Sequence, residues 1–394
     1  MYESIQQLLT SAYYKPRLDN VLDVTSAFLI DPNKEAYYQA QGMMVDKQVL
    51  GQFEIFDKNA PYVEVDSFDA LKFKIKRNST VGSLTAKGGE VPSTSAGELI
   101  AVQGDMAKIT LCHIFDEETM EMQVKLKDSK YIPDAFIDLL FGSVNDLQTK
   151  VFKLGNVLCA MVWATGKIRF SDPRTNMMLS IDYDTYPELY PEPLTGNSTW
   201  DNHDTANGID NLIEHSRAFY RINGYYPAKY VMGEVAMNHL LRQESTANYA
   251  RSLGLISSNA TSNLPSRVSM KILDRMSEDI MELPKLEQWD ARYELEVAPG
   301  KAMSFPYNPS HTVTIVEPNS VERLWGLTME SAMGKRIGFG ARRSANLKPK
   351  GGIFVFSDEM LRLSPPQCRS IAAGRNLPWV DDTRRLGAMK VLAA

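Results

Sequence analysis

Residues 133–164, PDAFIDLLFGSVNDLQTKVFKLGNVLCAMVWA, carry the strongest periodic pattern in the 394-residue chain. Apolar residues recur there at steps of three and four, which is the spacing of one face of an α-helix. This stripe consists of Leu140, Val144, Leu147, Val151, Leu154, Leu158 and Val162, and the opposite face carries Asp138, Asn145, Thr149 and Asn156. A helix of about 30 residues spans roughly 45 Å. We therefore predict a very long helix with one buried face and one face toward water or a neighbour.

The segment before this helix predicts a long hairpin. Residues 71–76 alternate between apolar residues and lysines, so a strand here has one apolar and one basic face. A stretch rich in Gly, Ser and Thr follows at 78–98, and Met106–Leu111 is predicted to be the returning strand. A hairpin of this length exceeds the usual loop lengths. It suits a protein that reaches a neighbour, although a decorative surface hairpin is the alternative.

Residues 47–68 are predicted to form a strand, and residues 1–20 open with a short amphipathic helix.

The segment after the helix alternates between further helices and strands. A hairpin is predicted at Ile168–Asp184, followed by a loop rich in Pro and Tyr at 185–200. The pattern predicts helices at Ile209–Tyr220, Glu234–Arg242 and Arg267–Met281, and strands at Tyr230–Met232, Leu286–Val297, His311–Val316 and Arg385–Leu392.

Composition excludes several classes of protein. The net charge of −5 argues against tight sequence-specific binding of nucleic acid, because proteins that do this are usually basic. Cys112, Cys159 and Cys368 are far apart and form no CxxC pair, so neither a disulfide framework nor a zinc site is expected. The chain has no run of 18 or more apolar residues and no signal-peptide pattern at its beginning, so we expect no membrane association.

Motifs for catalysis are also lacking. None of the five histidines forms an HxxxH or HExxH motif, and the segment around Gly334 and Lys335 fails the phosphate-binding loop pattern. His203 lies in a polar cluster with Asp201 and Asp204, where Asp204 or Thr205 is more simply a helix cap than part of a metal site. One basic stretch is expected to be a solvated loop, and the alternative is a surface that faces DNA or a neighbouring subunit. It consists of Arg336, Arg342, Arg343, Lys348 and Lys350. We predict no enzyme activity, no cofactor and no metal.

The order of these parts resembles the major capsid proteins of tailed phages with the Hong Kong 97-like fold, and the lambda head-protein family in particular. The supporting residues are Met1, Tyr2, Gln7, Leu8 and Leu9 in the arm, Ser198, Thr199, Trp200, Asp204, Ile209 and Asp210 before and within the first helix of the insert, and Tyr230–Met237. The resemblance implies an α+β fold with five parts. These are an amino-terminal arm and lead-in strand at 1–66, an extended loop at 67–112, a peripheral domain at 113–200 with a spine helix at 133–164, an α/β axial domain at 201–365, and a return to the peripheral domain at 366–394.

The resemblance also implies a function. The chain would assemble in the host cytoplasm into hexamers and pentamers of an icosahedral virion head that encloses double-stranded DNA. The implied partners are other copies of the chain, a separate scaffolding protein, a portal, non-specifically packaged DNA and, as a further candidate, a decoration or cement protein. A separate scaffold is implied because no coiled-coil segment of about a hundred residues precedes the arm. An encapsulin-like compartment or another phage structural protein is the alternative.

In this family the extended loop lies across an adjacent subunit, which suggests candidate inter-subunit contacts. The basic candidates are Lys72, Lys74, Lys76 and Arg77, and the acidic candidates are Glu117, Glu118 and Glu121 or else Asp134 and Asp138. The competing interpretation is that the lysines only keep an edge strand soluble.

Overall fold

The computed structural model of the chain describes residues 55–56, 58–65, 69–76, 98–115, 134–256, 267–298, 301–330, 353–360 and 367–392. The short helix predicted in 1–20, the tip of the long hairpin and the basic stretch at 336–350 lie outside these residues. None of the helices in the described part of the chain is long and apolar enough to cross a membrane.

The long helix predicted from the sequence is confirmed as α1, Asp134–Thr165. It ends at Gly166, which has a positive φ of 66° and donates its N–H to the carbonyl of Val162 over 2.8 Å. Two independent reasons favour glycine over any other residue at this position. The left-handed backbone conformation favours glycine, and a Cβ would lie only 2.5 Å from Thr185 Cγ2. In the carboxyl-terminal half of the apolar stripe, Leu147, Val151, Leu158 and Val162 are buried as predicted, each at most 2% exposed, whereas Leu154 is half-buried.

The prediction of a polar face toward water or a neighbour is wrong for the second half of α1. Thr149 and Asn156 are buried, and from Val151 to Ala164 no residue is exposed. The reason is that α1 lies between two sheets, so both of its sides are covered. Its side chains share one core with Ile109 and Ala372 from one sheet, with Val231 from the other, and with Val316 directly after a strand of that second sheet.

The first of these, the central sheet, is built around one long strand. It consists of β1 (Tyr62–Glu64), β4 (Ala107–Phe115), β12 (Glu322–Gly326), β13 (Phe354–Met360) and β14 (Gln367–Trp379). One edge of β14 pairs with β4, and the other edge pairs first with β13 and then with β12. Strand β1 joins the outer edge of β12 in parallel.

The predicted hairpin has a different returning strand. Strand β2 (Asp69–Lys76) pairs with β3 (Glu98–Asp105), and the two form a separate two-stranded sheet, which we call the β2–β3 ribbon. Residues 107–111, predicted to return beside β2, belong to β4 and pair with β14 instead. The alternation of Ile109 and Leu111 predicts a strand but does not identify its partner. Of the strand predicted at 47–68, the described residues form the strand only at β1, and residues 55–56 and 58–59 are helical.

The second sheet, the insert sheet, has the order β15-β11-β7-β8. Its strands are β7 (Lys229–Met232), β8 (Lys285–Gln288), β11 (Thr312–Ile315) and β15 (Gly387–Lys390). The accompanying helices are α2 (Gly208–Asn223), α3 (Glu234–Arg242), α4 (Glu244–Ser252) and α5 (Met270–Asp279). The three predicted helices in this region are confirmed, and α4 was not predicted. Trp200, Leu240 and Val313 lie in the core that these elements share.

Two further ribbons complete the described structure. Strands β5 (Lys167–Ser171) and β6 (Met178–Asp182) form the hairpin predicted at 168–184. Strands β9 (Arg292–Ala298) and β10 (Lys301–Pro306) form the other. The single strand predicted at 286–297 is therefore two strands, β8 and β9, in different sheets. An ion pair of 3.1 Å between Arg174 and Glu296 joins the two ribbons.

The sheets divide the sequence differently from the implied domains. Strands β12 and β13 lie within the implied axial range 201–365 but belong to the central sheet. Strand β15 lies within the implied return to the peripheral domain but pairs with β11 of the insert sheet. The implied domain boundaries stay predictions, whereas the mixture of helices and sheets confirms the α+β class.

Candidate inter-subunit interface

The predicted contact residues lie in three places. Lys72, Lys74 and Lys76 lie on β2, and Asp134 and Asp138 lie in the first two turns of α1. Arg77, Glu117, Glu118 and Glu121 lie outside the described residues. The pairing of these lysines with these carboxylates stays a prediction.

The register of the β2–β3 ribbon changes the predicted division into a basic and an apolar face. Directly opposite residues of an antiparallel pair share a face. Lys72 is opposite Val102, Lys74 is opposite Ile100, and Lys76 is opposite Glu98. The face that carries the lysines on β2 therefore carries two β-branched positions on β3. The other face combines Leu71, Phe73 and Ile75 with Gln103, Ala101 and Leu99. Both faces of the ribbon thus hold apolar positions.

The base of the ribbon lies against the central sheet. Asp69, the first residue of β2, is 3.9 Å from the guanidinium of Arg375 on β14. Near the end of β3, a Cβ at Gly104 would lie 2.9 Å from Cδ2 of Leu377 on β14, so β3 and β14 approach each other closely there. Lys108 and Glu330 form a further ion pair beside this junction. Exposed pairs of this kind are worth about 0–1 kcal/mol each, so close packing at Gly104 fixes the base more than charge does.

The segment 55–65 is attached to the rest of the fold through Phe56. This side chain is fully buried and stacks on Trp163 of α1 with ring centroids 5.5 Å apart. Trp289 and Tyr307 approach it edge-on, each at 5.3 Å. One phenyl ring thereby joins the lead-in segment, the long helix and the residues that flank the β9–β10 ribbon.

A buried arginine provides a second attachment of this segment. Arg323 on β12 is 2% exposed, and its Nε donates to the carbonyl of Ala60 over 2.8 Å. Its Nη1 donates to Asn156 Oδ1 on α1 over 3.0 Å. Nearby, burial raises the pKa of the Cys159 thiol to about 12, and the positive charge of Arg323 opposes this only in part. Cys159 is therefore a neutral thiol in the core.

The turn from the insert sheet to the central sheet, residues 317–320, is fixed by hydrogen bonds to four other segments. Trp163 Nε1 donates to Ser320 Oγ over 3.1 Å, and Asn319 donates its backbone N–H to the carbonyl of Asn59 over 2.8 Å. Arg385, in the turn from β14 back to β15, donates to the carbonyls of Pro318 and Asn319 over 2.5 and 3.3 Å. Glu317 accepts the backbone N–H of Ala228, and burial raises the pKa of its carboxyl group.

The polar cluster around His203 is a histidine pair. His203 Nε2 lies 2.9 Å from Nδ1 of His239 on α3. Helix α2 begins after Asn207, and that cap makes no side-chain hydrogen bond, so the predicted cap at Asp204 or Thr205 is wrong. Among the described residues, no three His, Cys, Asp or Glu side chains are arranged to hold a metal ion.

None of Phe56, Arg323, Ser320 or the histidine pair was selected from the sequence as a site. Their partners lie far away along the chain: Arg323 and Asn156 are 167 positions apart, and Trp163 and Ser320 are 157 positions apart. For these residues, the only signal in the sequence was the cluster of polar residues around His203.

The sequence matches no protein-family model and no curated protein. Its structure is similar to one assigned as the capsid protein of a prophage of Escherichia coli CFT073, with a TM-score of 0.50 and 11% identity; the match covers 92% of this chain and 98% of that one. A phage-related protein of Bordetella bronchiseptica matches with a TM-score of 0.45 and 11% identity over 93% of this chain and 99% of that one. The satellite phage P4 procapsid, which includes a size-determination protein, matches with a TM-score of 0.43 and 8% identity over 88% and 98%.

The likeness to the prophage protein runs through nearly the whole of both chains. It does not identify the lambda head-protein family, which stays a resemblance in sequence. At 11% identity the likeness concerns the fold: this chain has the Hong Kong 97-like capsid fold.

Proposed function

We propose that the chain is the major capsid protein of a tailed bacteriophage, a structural protein whose copies form the icosahedral head around double-stranded DNA. The observation that carries this proposal is the capsid fold over 92% of the chain. A fold does not determine a function by itself. The proposed capsid function is also supported by a structural element for which a free monomer has no evident use.

The β2–β3 ribbon is such an element. Each of its strands has eight residues, and the two pair only with each other in the part of the chain that the structure describes. A two-stranded sheet is marginally stable in water unless another layer covers it. Because both faces of this ribbon hold apolar positions, burial against a neighbouring copy would stabilise it. We therefore propose that the ribbon is a contact between subunits.

The remaining partners follow from the same proposal. A separate scaffolding protein would guide assembly, a portal would occupy one vertex, and packaged DNA would contact the inner surface without sequence preference. Assembly would take place in the host cytoplasm, and the product would be part of the virion. The lysines of β2 would contact an acidic surface of the adjacent subunit.

Electron microscopy of the purified full chain, produced with and without its scaffolding protein, tests the proposal. We expect closed shells of uniform size with the scaffold and irregular or no assembly without it. Uniform shells that form without a scaffold and enclose a protein cargo would favour an encapsulin-like compartment. A chain that stays monomeric at high concentration with its scaffold would contradict the capsid function.

A further inference from the structure

The contact between His203 and His239 joins two parts of the insert. Residues 199–207, which we call the 199–207 loop, precede α2 and place Trp200 in the core of the insert. His239 lies in the last turn of α3. The two rings are half-buried, with centroids 5.2 Å apart and a nitrogen–nitrogen distance of 2.9 Å. The distance is that of a hydrogen bond, so one imidazole donates and the other accepts.

Four further hydrogen bonds join the 199–207 loop and Gly208 to the same junction between α3 and α4. Gln243, between the two helices, accepts the N–H of Gly208 over 2.8 Å and donates to the carbonyl of Trp200 over 3.4 Å. The carbonyl of His203 accepts from the N–H of Glu244 over 2.9 Å, and Ser245 donates to the carbonyl of Ala206 over 2.8 Å. Elsewhere, Trp200 donates its backbone N–H to the carbonyl of Val391 over 3.0 Å and its indole N–H to Asn211 over 3.3 Å. These other bonds do not involve groups that titrate near neutral pH. The histidine pair is therefore the pH-dependent member of the set.

The number of protons on the pair decides whether the bond can exist. With no added proton, one N–H faces one nitrogen lone pair. With one added proton, an imidazolium donates to an imidazole, and this charge-assisted bond is stronger than the neutral one. With a second added proton, two N–H groups and two positive charges face each other over 2.9 Å, so the bond is replaced by repulsion.

We propose that the His203–His239 hydrogen bond is an acid-sensitive contact that holds the 199–207 loop on the α3–α4 junction, and that the second proton on the pair releases the loop. This inference concerns the folded subunit and does not depend on whether the chain forms a shell.

The charged groups around the pair fix the direction of the effect. Burial lowers the pKa of His239, the charge of His203 and that of Arg242 lower it further, and Asp201 on the loop opposes them. Two further charged residues are Asp204, next to His203 in the loop, and Glu244 on α4, whose N–H donates to the carbonyl of His203. Because the pKa of His239 in the closed form is below the ordinary value, the open loop takes up the second proton first. The closed loop therefore keeps its stability until the pH falls to the ordinary imidazole pKa near 6.5, and loses it between that value and the lowered one.

Hydrogen–deuterium exchange of the 199–207 loop in the full chain, corrected for the intrinsic pH dependence of exchange, tests the proposal. Between about pH 7.5 and about pH 5, we expect protection to persist near 6.5 and then to fall roughly tenfold per pH unit, the slope for uptake of one proton. The decisive variant is His203→Gln with His239→Asn. The Gln amide takes the place of Nε2 and the Asn amide that of Nδ1, so a hydrogen bond is retained that cannot be protonated. This variant should keep its protection at every pH in the range.

Two further variants keep the result interpretable. Asp201→Asn removes the carboxylate that stabilises the protonated pair, so release should move to higher pH. His311→Gln removes a histidine directly before β11, outside the loop and outside α3, and should respond like the unmodified chain. A double amide variant that loses protection like the unmodified chain would overturn the proposal, and so would full protection of the unmodified loop down to about pH 5, where imidazoles are ordinarily charged.

Discussion

Arg323 donates from its guanidinium to the side-chain oxygen of Asn156 over 3.0 Å, although neither residue is more than 2% exposed. A buried cation of this kind is costly to desolvate, so its hydrogen bonds decide whether it stabilises the fold. Here the two hydrogen bonds join β12, which carries Arg323, to the lead-in segment at Ala60 and to the long helix at Asn156.

Replacing Arg323 by Met should therefore destabilise the subunit. The acceptors on Ala60 and Asn156 would lose their donor, and a buried polar group without a partner costs about 1–3 kcal/mol. We expect a loss of roughly 2–5 kcal/mol in the free energy of unfolding, measured by urea denaturation. Arg169→Met on the exposed face of β5 is the matched control and should change it by about 0.5 kcal/mol or less. Equal effects of the two variants would contradict the role given to Arg323.

A carboxylate on the buried stripe of α1 should prevent folding. Leu147 is 2% exposed, and Leu147→Asp buries an unpaired charge that costs roughly several kcal/mol, comparable with the margin of a whole domain. We expect no soluble subunit from this variant. Lys150→Ala, at an exposed position one turn away, is the control and should give soluble protein. The solubility of the two variants in parallel expressions is the measurement.

Gly155 in α1 is required by packing rather than by conformation. A Cβ there would lie 2.7 Å from Cζ2 of Trp325 and 3.2 Å from Cγ of Asn376. Gly155→Ala favours helix formation by about 1 kcal/mol, but overpacking against a rigid indole should cost about 1–3 kcal/mol. We expect a net loss in thermal stability. Trp325→Phe removes the atom in conflict, so Gly155→Ala should be better tolerated in that background, as a double-mutant cycle would show.

Truncation of Phe56 should detach the lead-in segment. Phe56→Ala removes a fully buried ring that contacts Trp163, Trp289 and Tyr307, and such a change costs about 3–5 kcal/mol. The expected result is faster proteolysis near residue 56 and a lower midpoint of urea unfolding. Met177→Ala, at a position that is 71% exposed, should alter neither. An unchanged rate of cleavage in Phe56→Ala would mean that the segment is held by other contacts.

Reversal of the charges on β2 should stop assembly without unfolding the subunit. Lys72→Glu with Lys74→Glu would repel an acidic neighbour, and although one exposed pair is worth only about 0–1 kcal/mol, it recurs in every copy of a shell. Circular dichroism should show a folded subunit, and electron microscopy should show few shells. Lys301→Glu on the exposed β10 is the control for added negative charge. Changing Glu117, Glu118 and Glu121 to Lys should restore shells if those residues are the partners. Normal shells from the double lysine variant would leave only the interpretation that the lysines keep an edge strand soluble.

Local patterns predicted some elements well. The helix at 133–164 and the helix at 234–242 were recognised because their apolar residues recur with helical spacing along the sequence itself. Helix α4 was missed because only Thr246, Ala247 and Ala250 are buried in it, and such small residues give a weak pattern.

The pairing of strands could not be predicted in the same way. Whether Ile109 lies beside β2 or beside β14 depends on residues more than 250 positions later, opposite Gly374. The burial of Thr149 and Asn156 was not predicted, for a related reason. A polar residue is taken as exposed unless its distant partner is known, and the partner of Asn156 is on β12.

The two turns that connect the central and insert sheets, at 316–321 and at 380–386, are joined by the guanidinium of Arg385. Two chain crossings fixed side by side leave little freedom for the sheets to change the angle between them unless both hydrogen bonds break. In a closed shell, identical subunits occupy places with five neighbours and places with six. If each subunit keeps the same internal angle in both environments, the curvature of the shell has to arise where one subunit meets the next, at outlying elements such as the β2–β3 ribbon.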